Sequence, residues 1–118
     1  ALGEAIAMLR QQNVLIIGSG MSFHNMRAFF QPELVSQQQV AAFNQYLIDS
    51  LSSALSYSQQ VSRLTDWLNA PNARLIHPRE EHLLPLMVCL GAGKGSSAQL
   101  LFQADVLNRE VLAFGWFD

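Results

Sequence analysis

The sequence predicts an α/β fold in which a layered sheet carries helices on both faces. Three observations predict it: an unbroken apolar run, "NVLII", that ends in two glycines; several stretches with helical periodicity; and two alternating stretches near the end of the chain. Unbroken apolar residues are typical of interior strands of parallel sheets, which are buried on both faces. Such a strand needs neighbours, and the sequence offers few. We therefore expect an incomplete sheet that belongs to a larger α/β domain.

A first helix is predicted over residues 2–11, where apolar residues recur at helical spacing. Ser36 and Gln39 then match a capping box, in which the serine caps the helix and the glutamine reaches back. This pair predicts a helix that begins at Ser36 and continues to about residue 56. Residues 59–69 repeat the apolar spacing and predict another helix, which a connector follows.

A buried helix is predicted over residues 80–93, because the stretch is apolar nearly all round. Proline lacks an N–H group and is tolerated near the start of a helix, so Pro85 indicates a helix that begins near His82. Alternation of apolar and polar residues predicts strands at 98–104 and 110–117.

Length and charge bound the class of protein. The chain has 118 residues, which fits a single domain over residues 1–118, and its formal net charge is −2. This balance argues against a basic nucleic-acid face and a polybasic membrane patch. No apolar run is long enough to span a bilayer. The single cysteine allows no internal disulfide, which suits a cytoplasmic protein. Charged residues make up only 14%, so we expect another surface to cover part of this one.

Histidines are the strongest candidates for chemistry. His24 follows the predicted interior strand, at the edge where open α/β sheets bind ligands. Gly18 and Gly20 permit a close approach of the backbone there. A histidine that merely caps a turn is the alternative. His77 and His82 are five residues apart and do not share one helical face, so we do not interpret them as a ligand pair.

Two segments, "VLIIGSGMSFHNMR" and "HPREEHLLPLMVCLGAG", together resemble the C-terminal half of the class III extradiol ring-cleavage dioxygenases of the DOPA 4,5-dioxygenase type. In that family a strand, a glycine-serine-glycine turn and a His-Asn pair precede a Pro-x-x-Glu-His-x-x-Pro-Leu segment and a Gly-Ala pair. The matching residues are Gly18, Ser19, Gly20, His24, Asn25, Pro78, Glu81, His82, Pro85, Leu86, Gly91 and Ala92.

The resemblance implies a mononuclear non-haem Fe(II) or Zn(II) site that opens a catechol-type aromatic ring with O2. It implies that His82 is a metal ligand, that His24 is the acid–base residue beside the metal, and that Asn25, Gly18 and Gly20 support them. A histidine that titrates near neutrality suits this role, because it can take a catechol proton and later return one.

The family's other metal-binding histidines belong to its N-terminal half, which has no match in this sequence. We therefore expect the chain to need that half as a partner before it binds metal fully or becomes active. The sequence also leaves open a second copy of the chain as a partner, in a homodimer. The competing interpretations are a non-catalytic interaction or regulatory module of the same fold, and an unrelated α/β domain whose histidines are structural.

Overall fold

A computed structural model describes residues 1–117, which form six α-helices, three short 3₁₀ helices and one two-stranded sheet. The α-helices are α1 (Leu2–Ile6), α2 (Met26–Phe30), α3 (Gln37–Ser50), α4 (Tyr57–Thr65), α5 (Ala73–Ile76) and α6 (Leu84–Ala92). The 3₁₀ helices are Ala7–Gln12, Pro32–Leu34 and Trp67–Asn69. The strands are β1 (Ala98–Val106) and β2 (Arg109–Trp116). The mixed α/β class is confirmed.

The sheet is a hairpin at the end of the chain. Strands β1 and β2 pair in antiparallel register, from Ala98 opposite Trp116 to Val106 opposite Arg109. Both predicted strands are present with slightly different bounds, although β1 is exposed along nearly its whole length. A two-residue turn joins them, and both of its residues, Leu107 and Asn108, have positive φ angles of 50° and 61°. Such turns follow the natural twist of a hairpin.

The predicted interior strand at "NVLII" is wrong for this structure. Residues 14–20 belong to no strand, and the only sheet within residues 1–117 is the β1–β2 hairpin. Leu15 and Ile17 are each 77% exposed, so the segment is not buried on both faces. A strand exists only with a hydrogen-bonded neighbour. None of the residues that the structure describes supplies one, although the apolar pattern is that of a buried strand.

The starts of α3 and α4 follow local signals in the sequence. Both halves of the predicted capping box are formed, by Ser36 and Gln39, at the start of α3. Helix α3 ends at Ser50 rather than near residue 56. A second capping box, formed by Ser56 and Gln59, begins α4.

Helix α6 begins later than predicted. Its first residue is Leu84, with Pro85 in the first turn, so His82 precedes the helix instead of lying within it. The helix is also less buried than its composition predicts: Leu84 is 44% exposed, and full burial is confined to Leu90–Ala92. The reason is geometric, because one side of α6 borders an open cavity that is described below.

The core lies between the helices and β2. Phe43 and Leu47 of α3 are fully buried, together with Ile76 of α5 and Phe23. Strand β2 joins this core through Arg109, whose guanidinium is almost fully buried and donates hydrogen bonds to three carbonyl oxygens, those of Ala28, Pro32 and Val35. The segment that follows His24 is thereby fastened to the sheet. Among residues 1–117, no helix is both long and apolar enough to cross a membrane.

Candidate functional site

The two histidine-containing segments lie side by side in opposite directions. The backbone N–H of Met21 donates to the carbonyl of His82 at 2.9 Å, and that of His24 donates to the carbonyl of Ile76 at 3.1 Å. Met21 thus pairs with the later residue His82, and His24 pairs with the earlier residue Ile76. This antiparallel alignment of residues 21–25 with 75–82 places His24 beside His82.

Asn25 fixes the end of this alignment. Its side-chain Oδ1 accepts from the backbone N–H of Ala28 and so caps α2, while its Nδ2 donates to the carbonyl of Leu75 at 2.7 Å. An asparagine side chain offers both an acceptor and a donor, which lets one residue cap a helix and hold a neighbouring segment. Helix α2 consequently begins at Met26, two residues after His24, and the bond to Leu75 ties its start to α5.

Two glycines let the first segment lie against the second. A Cβ atom at Gly20 would be 2.3 Å from the His82 carbonyl oxygen, and one at Gly18 would be 2.6 Å from the Cys89 Sγ. Neither glycine has a positive φ angle. Close approach, rather than an unusual backbone conformation, therefore explains why glycine occupies both positions. Cys89, which the Gly18 backbone approaches, is half-buried and lines the open cavity described below.

The imidazole rings of His24 and His82 are stacked face to face. Their centroids are 3.5 Å apart and their planes differ by 9°. Burial lowers the pKa of His24 below its ordinary value, and electrostatic repulsion from His82 lowers it further. Two imidazolium ions do not stack at this distance without strong repulsion. His24 is accordingly a neutral imidazole near pH 7, able to accept a proton or to bind a metal.

His82 carries a buried nitrogen that no group satisfies. Its Nδ1 atom is inaccessible and has no hydrogen-bond partner among residues 1–117. A buried polar atom is normally paired, and an exception requires an explanation such as an ion or a group outside the structure. Imidazole nitrogen is a common ligand of iron and zinc. The donor chemistry of His82 therefore fits a metal site.

The described residues do not complete such a site. No group of three or more His, Cys, Asp or Glu side chains able to hold a metal ion occurs in residues 1–117. Three protein ligands are usual for a catalytic zinc ion, and a 2-His-1-carboxylate triad is usual for non-haem iron. His24 and His82 can supply at most part of either set.

A large open cavity, which we call the apolar groove, borders His82. Its volume is about 760 Å³, and it lies between residues 14–20, helix α6 and strand β2. His82 is among its lining residues, whereas His24 is not. Most of the wall is apolar, with contributions from Leu15, Ile17, Leu86, Leu101, Phe114 and Trp116. The groove therefore approaches the stacked pair from the His82 side.

His77 and Ser22 were not among the residues that the sequence predicts for the site. His77 is completely buried, and burial lowers its pKa to about 4. Its Nε2 lies 2.8 Å from the carbonyl oxygen of Ser22, whose own hydroxyl oxygen accepts from the backbone N–H of Leu112. The sequence around Ser22 contains no local pattern that predicts its contact with His77. The His-Pro pair at 77–78 was visible, but it predicts only an extended backbone.

Comparison with known proteins gives a consistent result. The chain is 30% identical to the dioxygenase tasH of Hapsidospora irregularis over 98% of its own length. It is 38% identical to a 4,5-DOPA dioxygenase extradiol of Beta vulgaris over 85% of its length, and 37% identical to that of Mirabilis jalapa over 91%. The chain spans 36–39% of the length of these curated relatives. No protein-family model matches it.

A solved structure shares the fold. A crystal structure of an uncharacterized protein from Escherichia coli K12 superposes with a TM-score of 0.76 and covers 96% of this chain and 47% of that one. The sequence identity is 23%, so this likeness concerns the fold alone. It indicates that the arrangement of helices and hairpin seen here recurs within a chain of about twice the length.

Proposed function

Because this chain is homologous to part of the extradiol dioxygenases, and so belongs to their family, we propose that it forms the C-terminal part of an enzyme that opens a catechol-type ring with O2. The stacking of His24 on His82 carries the proposal. These residues are 58 positions apart in the sequence, and each comes from one of the two segments that resemble the family. The fold brings exactly those two imidazoles into contact.

We assign His82 as a metal ligand and His24 as the acid–base residue. Iron(II) bound beside His82 would supply the redox chemistry that joins O2 to a catechol; zinc(II), the alternative occupant, has no redox chemistry of its own. His24 is neutral near pH 7, because burial and His82 lower its pKa. It can therefore take a proton from a substrate hydroxyl on a ring nitrogen and return it later. Asn25 and the close approach at Gly20 hold the His24 segment against the segment that carries His82.

The remaining ligands must come from another part of the enzyme, since residues 1–117 hold no complete set. We propose that this part, which the longer relatives possess, covers the apolar groove. Leu15 and Ile17 line the groove and are each 77% exposed, and Leu101 is 55% exposed. Contiguous exposed apolar surface of this kind marks an interaction site. Residues 15–17 belong to no strand, so their backbone can pair with a strand of that part.

The activity is tested on the complete reading frame. The protein is loaded with Fe(II) without air and given catechols and O2, and the coloured ring-opened product is followed by absorbance. His24→Ala should reduce the rate by about 10²-fold or more, because general acid–base catalysis contributes that much. His82→Ala should reduce it at least as far, because it removes a metal ligand. Asp66→Asn, an exposed change in the turn after α4, is the control that should retain activity.

The Fe(II) content of the two histidine variants distinguishes a metal ligand from an acid–base residue. His82→Ala should lower the Fe(II) content of the purified protein, whereas His24→Ala should lose the rate and keep more of the metal. An iron-loaded wild-type protein that opens no catechol would contradict the enzymatic proposal. It would favour a non-catalytic module of the same fold.

The apolar groove has its own test. The 118-residue chain and the rest of the reading frame are produced as separate polypeptides and purified together through a tag on one of them. Ile17→Asp should abolish their association. Leu107→Asp is the matched control, because Leu107 is 72% exposed but lies at the hairpin turn, outside the groove. Equal association of the two variants would overturn this part of the proposal.

A further inference from the structure

His77 differs from the other two histidines in its surroundings. It is completely buried, and its ring packs between Phe43 and Trp67, with centroid distances of 5.4 and 6.1 Å. It does not line the apolar groove. His77 therefore contacts core residues rather than a ligand-binding surface, and its conformation is fixed by tight packing.

The hydrogen bond of His77 has only one direction. Its Nε2 lies 2.8 Å from the Ser22 carbonyl oxygen, which can only accept, so Nε2 carries the proton and donates. The second nitrogen, Nδ1, is buried without a partner among residues 1–117, so nothing there competes to hold the other tautomer. Burial lowers the pKa of His77 to about 4, which keeps the ring neutral near pH 7. A single neutral tautomer is therefore selected.

The residue that accepts this bond lies within the His24 segment. Ser22 follows Met21, which bonds to His82, and precedes His24 by two positions. The hydroxyl oxygen of Ser22 also accepts from the backbone N–H of Leu112 in β2 at 2.8 Å. Ser22 is thus held from two sides, by the His77 side chain and by the sheet. The position of Ser22 therefore determines where the next two residues place the His24 ring against His82.

We infer that His77 is a positioning residue, whose Nε2–H holds the Ser22 carbonyl and thereby keeps His24 stacked on His82. His77 does not touch the substrate or the metal in this role. The inference about catalysis rests on the proposed function, whereas the hydrogen bond and its effect on the His24 segment do not.

The geometry suggests a matched pair of variants. His77→Gln retains an N–H donor at a reach close to that of imidazole Nε2, while His77→Leu fills the space without a donor. Phe43→Leu is the control for general destabilisation, because it removes packing around the same ring without removing the donor. All three are compared at a temperature where each is fully folded.

The first measurement uses amide hydrogen exchange in the 118-residue chain and needs no activity. His77→Leu should speed the exchange of the Met21 and His24 amides by at least tenfold relative to Phe43→Leu, and His77→Gln should restore their protection. Nitrogen-15 shifts of the His77 ring should show the proton on Nε2. Unchanged exchange in His77→Leu, or a proton on Nδ1, would overturn the inference.

The second measurement uses the complete, iron-loaded enzyme. His77→Leu should lower kcat by about 10- to 100-fold with KM nearly unchanged, since small displacements of a catalytic group have effects of this size. His77→Gln should recover most of kcat. A kcat in His77→Leu equal to that of Phe43→Leu would contradict a positioning role. If the wild-type enzyme opens no ring, the proposed function fails, and the exchange measurement alone decides about His77.

Discussion

Two sides of this molecule differ in how much of their backbone and apolar surface this chain itself pairs and covers. On the histidine side, residues 21–25 are fastened to residues 75–82 by backbone and side-chain hydrogen bonds, and Phe23 and Ile76 beside them are fully buried. On the groove side, residues 14–17 make no strand and expose Leu15 and Ile17. The contacts between the histidine segments are therefore formed by this chain alone, whereas the groove remains open in it.

This difference separates two properties of the proposed site. The contact between His24 and His82 is a property of the chain itself. A full metal-ligand set and a closed substrate pocket are not, because the described residues lack the ligands and leave the groove open. Changes on the histidine side should therefore alter the stability of the isolated chain, and changes on the groove side should not.

The largest expected effect is a pH-dependent change in the free energy of unfolding, which comes from His77 on the histidine side. The pKa of His77 is about 4 in the folded chain, against an ordinary value of 6.5, so the unfolded state binds the proton more tightly. The free energy of unfolding should therefore be highest above pH 6.5 and fall as the pH decreases from 6.5 towards 4, by about 3 kcal/mol in total.

Urea unfolding of the isolated chain between pH 4 and 8 measures this loss. His77→Gln, which cannot titrate there, should show a clearly shallower decrease over the same range. Parallel curves for the wild type and His77→Gln would show that His77 is not the group responsible.

A smaller effect is expected at the close approach of the two segments. A methyl group at Gly20 would meet the backbone oxygen of His82 at 2.3 Å, so one segment must move. Gly20→Ala should lower the free energy of unfolding by about 1–3 kcal/mol, as overpacking does. Ser19→Ala, at an exposed neighbouring position, should change it by less than about 0.5 kcal/mol. Equal stability of the two variants in urea unfolding would refute the close packing of the segments.

The next effect concerns the two bonds of Asn25. Asn25→Ala removes both the α2 cap and the bond to Leu75, and should lower the free energy of unfolding by about 1 kcal/mol. Asn25→Ser keeps a capping oxygen and loses the donor to Leu75. Thermal unfolding should place Asn25→Ser between the wild type and Asn25→Ala, and a serine variant no more stable than the alanine variant would show that the cap contributes little.

The smallest effect is expected on the groove side. Ile17→Asp should leave the free energy of unfolding of the isolated chain within about 0.5 kcal/mol of the wild type, because the side chain is already exposed. Leu107→Asp at the hairpin turn should behave alike. A loss well beyond this range for Ile17→Asp alone would mean that the groove is closed in solution, and the contrast between the two sides would disappear.

The sequence predicts best those features that local chemistry determines. The Ser36–Gln39 capping box and the two alternating strands are formed as predicted, since each depends on residues a few positions apart. The same local signal at Ser56–Gln59 marks the start of a separate helix, α4, so α3 does not continue to residue 56.

Features that depend on distant residues were not predictable from pattern alone. The segment at 14–17 has the composition of an interior strand, but composition cannot supply a neighbouring strand. The pairing of His24 with His82 was expected only through the resemblance to a family, because no periodicity relates residues 58 positions apart. The burial of His77 depends on Phe43 and Trp67, which are also remote in sequence.

The most direct test of the central claim is a zinc titration of the isolated chain, followed by NMR of the three histidine rings. If His24 and His82 form part of one incomplete metal site, their signals should shift together with the same weak dissociation constant, and those of His77 should stay nearly unchanged. His82→Ala should abolish both shifts. Separate dissociation constants for His24 and His82, or tight one-to-one binding by the chain alone, would contradict the claim.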